Sequence, residues 1–226
     1  MVLKGGHRGA RGYEPENTLP SFQKALDLKV DIIELDVHCS KDKKLVVIHD
    51  ESVDRTTDKV GLVKSFTLEE LKILDAGKKE KIPALQEVID LTNKKVIINI
   101  EIKDVDAVSA VCDLIKFYVN KKGWSYDHFL VSSFNHNLLF VIKKKDKKIK
   151  IASLIENIPS NYFNLIDILK PYSINISYKN VTKEFVFDVH ERKMKVFVWT
   201  VNDLEDIEKM KQLNVDGIFS DYPDRI

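Results

Sequence analysis

Little in this chain could staple it together. It has two cysteines, Cys39 and Cys112, in 226 residues, a lone and widely separated pair that argues against a disulfide-rich secreted scaffold and fits a reducing compartment. No run approaches the roughly 18 apolar residues of a membrane span, so integral membrane association is not expected. The start, MVLKGGHRG, is too short and too glycine-rich for a signal peptide, and the expected location is the cytoplasm. An excess of one charge is missing as well, since 36 Lys and Arg against 35 Asp and Glu leave a net of +1. No strong global field then draws nucleic acid or an anionic membrane to the surface. No repeat, low-complexity tract or linker divides the sequence, which reads as one domain over 1–226. At 44% hydrophobic residues, a chain of this length buries roughly 70% of its unfolded surface and needs no staple.

What the chain does have is rhythm. Short β-branched runs at 2–6, 32–38, 45–49, 96–103, 129–134, 150–155, 173–178, 195–201 and 217–220 alternate with helical patterns. Helices fit 18–29, 84–93, 105–121, 135–145, 161–170, 182–193 and 203–213, the first with Thr18 as N-cap and Pro20 in its first turn. Strict alternation with short loops means parallel strands and right-handed crossovers. With 45–49 counted as an extension of the second strand, eight strands and seven helices predict a (β/α)8 TIM barrel with a short or missing last helix. A doubly wound open sheet would want a glycine fingerprint opening the first helix, and GGHRGARG lies too far upstream for that. The one break in rhythm is a small polar insertion after the second strand, about 50–83. It carries a short helix at 67–74 opened by a Thr67/Glu70 capping box.

In such a barrel the reactive groups sit at the carboxyl ends of strands. Period-two alternation puts Glu34 and Asp36 on one face of the second strand and Glu101 with Lys103 on one face of the third. Three carboxylates in a poorly hydrated mouth require a cation, and an all-oxygen set suits Mg²⁺ or Ca²⁺ better than Zn²⁺. The alternative is a set of mutual ion pairs, but one lysine does not balance three acids. His7, beside Arg8 among glycines, and His49, at a strand end, are plausible acid and base, against plain packing or loop-bonding roles. Trp199 is expected as an apolar wall for the glycerol or as a core-packing residue, Phe134 as wall or packing residue, His38 as bonding a loop partner or supporting the metal set from beside it, and Asn17 as a structural cap. His128, His136 and His190 read as surface residues, and the lysine run 143–150 as a solvated helix end.

The order of HRG (7–9), ENT (16–18), SF (21–22), DIIELDV (31–37), VIHD (47–50), RTT (55–57), LDAG (74–77), IPAL (82–85), EIK (101–103), VWTVN (198–202) and VDGIFSDYP (215–223) resembles the glycerophosphodiester phosphodiesterases nearly end to end. The resemblance implies a (β/α)8 barrel with a divalent metal. His7 and His49 match the acid–base pair, Glu34, Asp36 and Glu101 the metal ligands, and Arg8 and Lys103 phosphate-contacting positions. It implies release of sn-glycerol 3-phosphate and an alcohol, by direct attack of water or through a cyclic phosphate. A lysophospholipase D of the same barrel and a catalytically silent binding barrel are the competing readings. The charged insertion favours a small soluble diester whose alcohol points to solvent and is read weakly. Headgroup, metal identity and oligomeric state are left open.

Overall fold

The structure, a computed structural model, describes residues 2–226. Strand β1 (Leu3–Gly6) leads through a loop to α1 (Leu19–Asp27) and β2 (Ile32–Cys39). A short β3 (Leu45–Val47) folds back antiparallel along β2, setting Val47 against Val37. The sequence-predicted strand end at 48–49 is absent, because Ile48 N–H turns to the Asp36 carbonyl at 3.0 Å and releases His49 from the sheet. After an insertion carrying α2 (Leu68–Lys72), helix and strand alternate: α3 (Leu85–Thr92), β4 (Ile97–Ile102), α4 (Ala107–Lys121), β5 (Phe129–Ser133), α5 (His136–Lys145) and β6 (Lys150–Ile155). There follow α6 (Tyr162–Leu169), β7 (Ser173–Ser177), α7 (Lys183–Glu191), β8 (Lys195–Trp199), α8 (Leu204–Gln212) and β9 (Gly217–Ser220). Neighbouring strands run β1, β2, β4, β5, β6, β7, β8, β9, all parallel, and β9 pairs back onto β1 through Leu3–Gly217 and Gly5–Phe219. The sheet is closed, and the fold is a (β/α)8 barrel as the alternation predicts. Past β9 comes a single 3₁₀ turn, Pro223–Arg225.

Two cores follow from the period-two pattern. Outward residues such as Ile33, Leu35 and Val37 of β2 and Ile98 and Ile100 of β4 join helix residues Phe22, Val88, Val111 and Ile115 in the shell between strands and helices. Inward residues Ile32, Leu130, Ala152, Phe197 and Phe219 plug the barrel itself. Gly5 belongs to that plug, since a Cβ there would sit 2.3 Å from the Phe219 ring. Above the plug the inward positions turn polar, and that change of chemistry builds the site. The insertion has a small core of its own, in which Leu71 and Leu74 meet Val46, Ile48, Val53, Val63 and Ile82. Its α2 opens with the expected capping box, with Glu70 N–H donating to Thr67 Oγ1 and Thr67 N–H to Glu70 Oε2. Thr18 takes the N-cap position expected for it, although its hydroxyl donates to the Pro15 carbonyl at 2.6 Å and accepts from no α1 amide.

Candidate active site

The turn after β1 brings the first reactive groups into the mouth. Arg8 and Gly9 both have positive φ, 51° and 82°. At Gly9 a Cβ would also strike Ser21 Oγ at 2.4 Å, so glycine is required. This bend aims the Arg8 N–H at Glu34 Oε2, 2.8 Å away. In-register pairing of β2 with β4 then sets Asp36 beside Glu101 and Glu34 beside Asn99. Glu34, Asp36 and Glu101 are buried, and each can turn one oxygen to within 4.8 Å of the others'. Lys103 Nζ donates to Glu101 and stands 3.0 Å from Asp36 Oδ1, too poorly directed to hydrogen-bond that oxygen.

The electrostatics show what this arrangement lacks. Burial, then the charges of Asp36 and Glu101, push the Glu34 carboxyl well above its usual range. Burial and Asp36 push Glu101 up to about 7. Burial would raise Asp36 too, but Lys103 and Arg8 outweigh it and hold that carboxyl low. Asn17 adds to the hold by donating Nδ2–H to Asp36 Oδ2 at 2.9 Å, so it supports an acid and is not the cap expected from sequence. Even with Lys103 and Arg8 engaged, Glu34 and Glu101 are shifted toward the protonated form, so the cluster is short of positive charge. Three buried carboxylates able to bring oxygens within 4.8 Å of one another fit a hard divalent cation.

Two histidines flank the acids, and each is anchored in the same way. His7 Nδ1 lies 2.7 Å from Asp221 Oδ1, and His49 Nδ1 lies 2.6 Å from Asp50 Oδ1. Burial lowers both imidazole pKa values below 6.5, against the raising pull of the neighbouring carboxylates. Asp221 is held in turn by Asn202 Nδ2–H at 2.9 Å and by Arg11 at 3.0 Å. The Arg55 fork grips Asp50 at 2.7 and 3.1 Å and Glu16 at 2.8 and 3.0 Å, while Glu16 also accepts from Arg8 at 2.8 Å. His38 takes the loop-partner role expected for it. Its Nε2–H donates to the His49 carbonyl at 3.1 Å and so helps to place that residue.

One cavity of about 80 Å³ gathers His7, Arg8, Glu34, His49, Glu101 and Lys103 with Phe134 and Trp199. All the site residues expected from sequence line it save Asp36, which lies buried beneath. Trp199 Nε1–H donates to the Asn175 carbonyl at 3.1 Å, and Phe134 meets its ring edge to face at 5.6 Å. On the floor, the buried Asn99 Oδ1 and Asn175 Nδ2 have no hydrogen-bond partner. Sequence reasoning missed Asp221, Asp50, Glu16, Arg55, Asn99 and Asn175 as working parts. Strings containing several of them were visible, but only the closed barrel pairs His7 with a residue 214 positions away.

Buried acids and two anchored histidines thus gather at the mouth of a closed parallel barrel, where enzymes of this fold carry their reactive groups. The chain belongs to the glycerophosphoryl diester phosphodiesterase family, whose model matches residues 7–225. It is 40% identical to a glycerophosphodiester phosphodiesterase of Caldanaerobacter subterraneus subsp. tengcongensis, over 97% of this chain and 94% of that one. A glycerophosphodiester phosphodiesterase of Bacillus altitudinis is 39% identical over the same shares. Among solved structures, an Oleispira antarctica phosphodiesterase in complex with the product sn-glycerol-3-phosphate superposes with a TM-score of 0.91 at 31% identity, covering 98% of this chain and 94% of that one. This chain is accordingly an enzyme, a phosphoric diester hydrolase. No helix among the described residues is long and apolar enough to cross a membrane.

Proposed function

We propose that the enzyme hydrolyses soluble glycerophosphodiesters, such as glycerophosphocholine or glycerophosphoethanolamine, to sn-glycerol 3-phosphate and an alcohol, with His7 and His49 as the acid–base pair. The observation that carries this reading is the convergence of two Nδ1-anchored histidines and a buried carboxylate triad on one small cavity. Glu34, Asp36 and Glu101 would hold a single Mg²⁺ or Ca²⁺. Once bound, such an ion supplies Lewis-acid stabilisation of charge on the phosphoryl oxygens. Arg8 and Lys103 add fixed positive charge at the same place, preorganised by their carboxylate partners.

A histidine that donates Nδ1–H to a carboxylate offers Nε2 to the cavity and becomes more stable when protonated. One histidine takes a proton from the attacking water as the new P–O bond forms. The other delivers its proton to the alkoxide as the old P–O bond breaks, so both protons are accounted for. Where a glycerol hydroxyl attacks instead, the product is a cyclic phosphate that water must then open, with the two histidines exchanging roles. Trp199 and Phe134 face the glycerol carbons. Asn99 Oδ1 can accept from a glycerol hydroxyl, and Asn175 Nδ2–H can donate to one. The reading takes 1–226 as one catalytic domain in the cytoplasm, where its two buried free thiols suit a reducing compartment.

A coupled assay for glycerol 3-phosphate, run with several headgroups and each of Mg²⁺, Ca²⁺ and Mn²⁺, tests this. Glycerol 3-phosphate should appear in step with free alcohol. Folded, metal-loaded protein that releases neither from any diester would overturn the reading.

A further inference from the structure

The catalytic cavity measures about 80 Å³. A larger cleft of about 500 Å³ has room for the alcohol. Lys103 lines both spaces. One wall of the cleft is the segment Asp104, Val105 and Asp106 that follows β4, and the other is the insertion around Leu62, Val63 and Lys64. That second wall is pinned at both ends, by Val63 N–H to the Glu51 carbonyl at 2.9 Å and by Lys41 N–H to the Phe66 carbonyl at 2.8 Å.

Most charges in the cleft are already committed. Asp104 accepts from the backbone N–H groups of Cys39 at 3.0 Å and Ala107 at 2.9 Å. Its Oδ2 also stands 3.4 Å from His38 Nδ1. Asp106 is paired with Lys43, and Lys103 with Asp36 and Glu101. Among the described residues, Lys41, Lys64 and Glu51 have no ion-pair partner, and all three are exposed. Two free cations therefore face one free carboxylate. No Trp, Tyr or Phe lines the cleft, so a quaternary ammonium finds no aromatic face to rest on.

We propose that this cleft receives the alcohol side of the diester and favours an alcohol carrying its own anionic group, a carboxylate or a second phosphate, which Lys41 and Lys64 hold. The inference rests on the phosphodiesterase reading above and departs from the weak headgroup discrimination expected from sequence. The alcohol remains bound to phosphorus beside Lys103 while its far end meets the two free lysines. Such steering is strongest at low ionic strength and fades as salt screens it.

The test compares kcat/KM for glycerophosphoserine and for glycerophosphoglycerol 3-phosphate with that for glycerophosphocholine. At low salt one or both anionic diesters should lead by roughly tenfold, with the lead shrinking at high salt. Lys41→Ala combined with Lys64→Ala should erase that lead. Glu51→Gln, which removes the opposing charge, should widen it. A loss confined to the doubly phosphorylated substrate identifies a phosphate as the group held, and a loss on the serine diester identifies a carboxylate. Folded variants that leave both ratios unmoved overturn the inference while the phosphodiesterase reading stands, whereas wild-type protein inactive on every diester removes both.

Discussion

His7 and His49 are chemically alike at Nδ1 but not in what lies behind it. Asp221 is braced by an amide and one arginine, while Asp50 shares its charge with the Arg55 fork and is held far below the usual carboxylate range. Both imidazoles have pKa values lowered from 6.5, chiefly by burial. A lowered value keeps the neutral form present to more acidic pH, so the acidic limb of kcat/KM for the free enzyme should fall below pH 6.5. A limb centred above that value would contradict the assignment. His7→Ala and His49→Ala should each cut turnover by about 10²-fold or more with little loss of stability, and either variant keeping half of wild-type turnover would remove its residue from the pair. The cysteines belong to a different chemistry. Both thiols are free and buried, so alkylation of denatured, unreduced protein should label both by mass spectrometry, and an unlabelled pair would reveal a bridge.

At the scale of elements, the first loop and the insertion are sewn together by a run of alternating charge from Arg8 through Glu16 and Arg55 to Asp50 and His49. Burial would raise Glu16, but hydrogen bonds from Arg55 and the Arg8 charge pull it down to about 2. A carboxylate whose folded value lies below its unfolded one stabilises the fold above the unfolded value. That contribution is lost as pH falls from about 4.5 toward 2. Chemical denaturation of wild type and Glu16→Gln across this window should show the wild type losing its advantage, and parallel curves would exclude the link. Arg55→Met, which strips hydrogen bonds from two acids, should cost only about 0.5–1 kcal/mol because Arg55 is half exposed, yet lower turnover by loosening His49. None of this was legible in the sequence, although the strands and helices were. Elements announce themselves by local period, as in β2, where Ile33, Leu35 and Val37 alternate with Glu34 and Asp36. Glu16 and Arg55, by contrast, are 39 residues apart with no periodic relation. Asn17 was misread for a related reason. The positive φ of Asn17, 58°, and the buried acid it serves depend on a strand that only the fold brings near.

For the whole molecule, barrel closure separates stability from chemistry. Most of the apolar burial lies in the shell between strands and helices and in the plug beneath the site, and burial shifts Glu34 and Glu101 toward the protonated form. Chelation should therefore abolish turnover yet leave circular dichroism and cooperative melting largely intact, and full activity after exhaustive chelation with metal content checked would remove the metal from the mechanism. The same separation limits what the enzyme can accept. A lysolipid must bring an acyl chain to the mouth, but the cleft beside the cavity carries four lysines and three carboxylates, and only Leu62 and Val105 offer exposed apolar surface on its walls. Phe134, 48% exposed, is the single large apolar side chain of the cavity open enough to meet such a chain, far less than an acyl group needs to leave a micelle or bilayer. Soluble deacylated diesters should consequently win. Measured as kcat/KM against glycerophosphocholine and glycerophosphoethanolamine, lysophosphatidylcholine should be the poorest substrate of the three. A lysolipid preferred by tenfold over both small diesters would mean that the chain finds an apolar path outside the cavity and cleft, and the mouth described here would not be what selects the substrate.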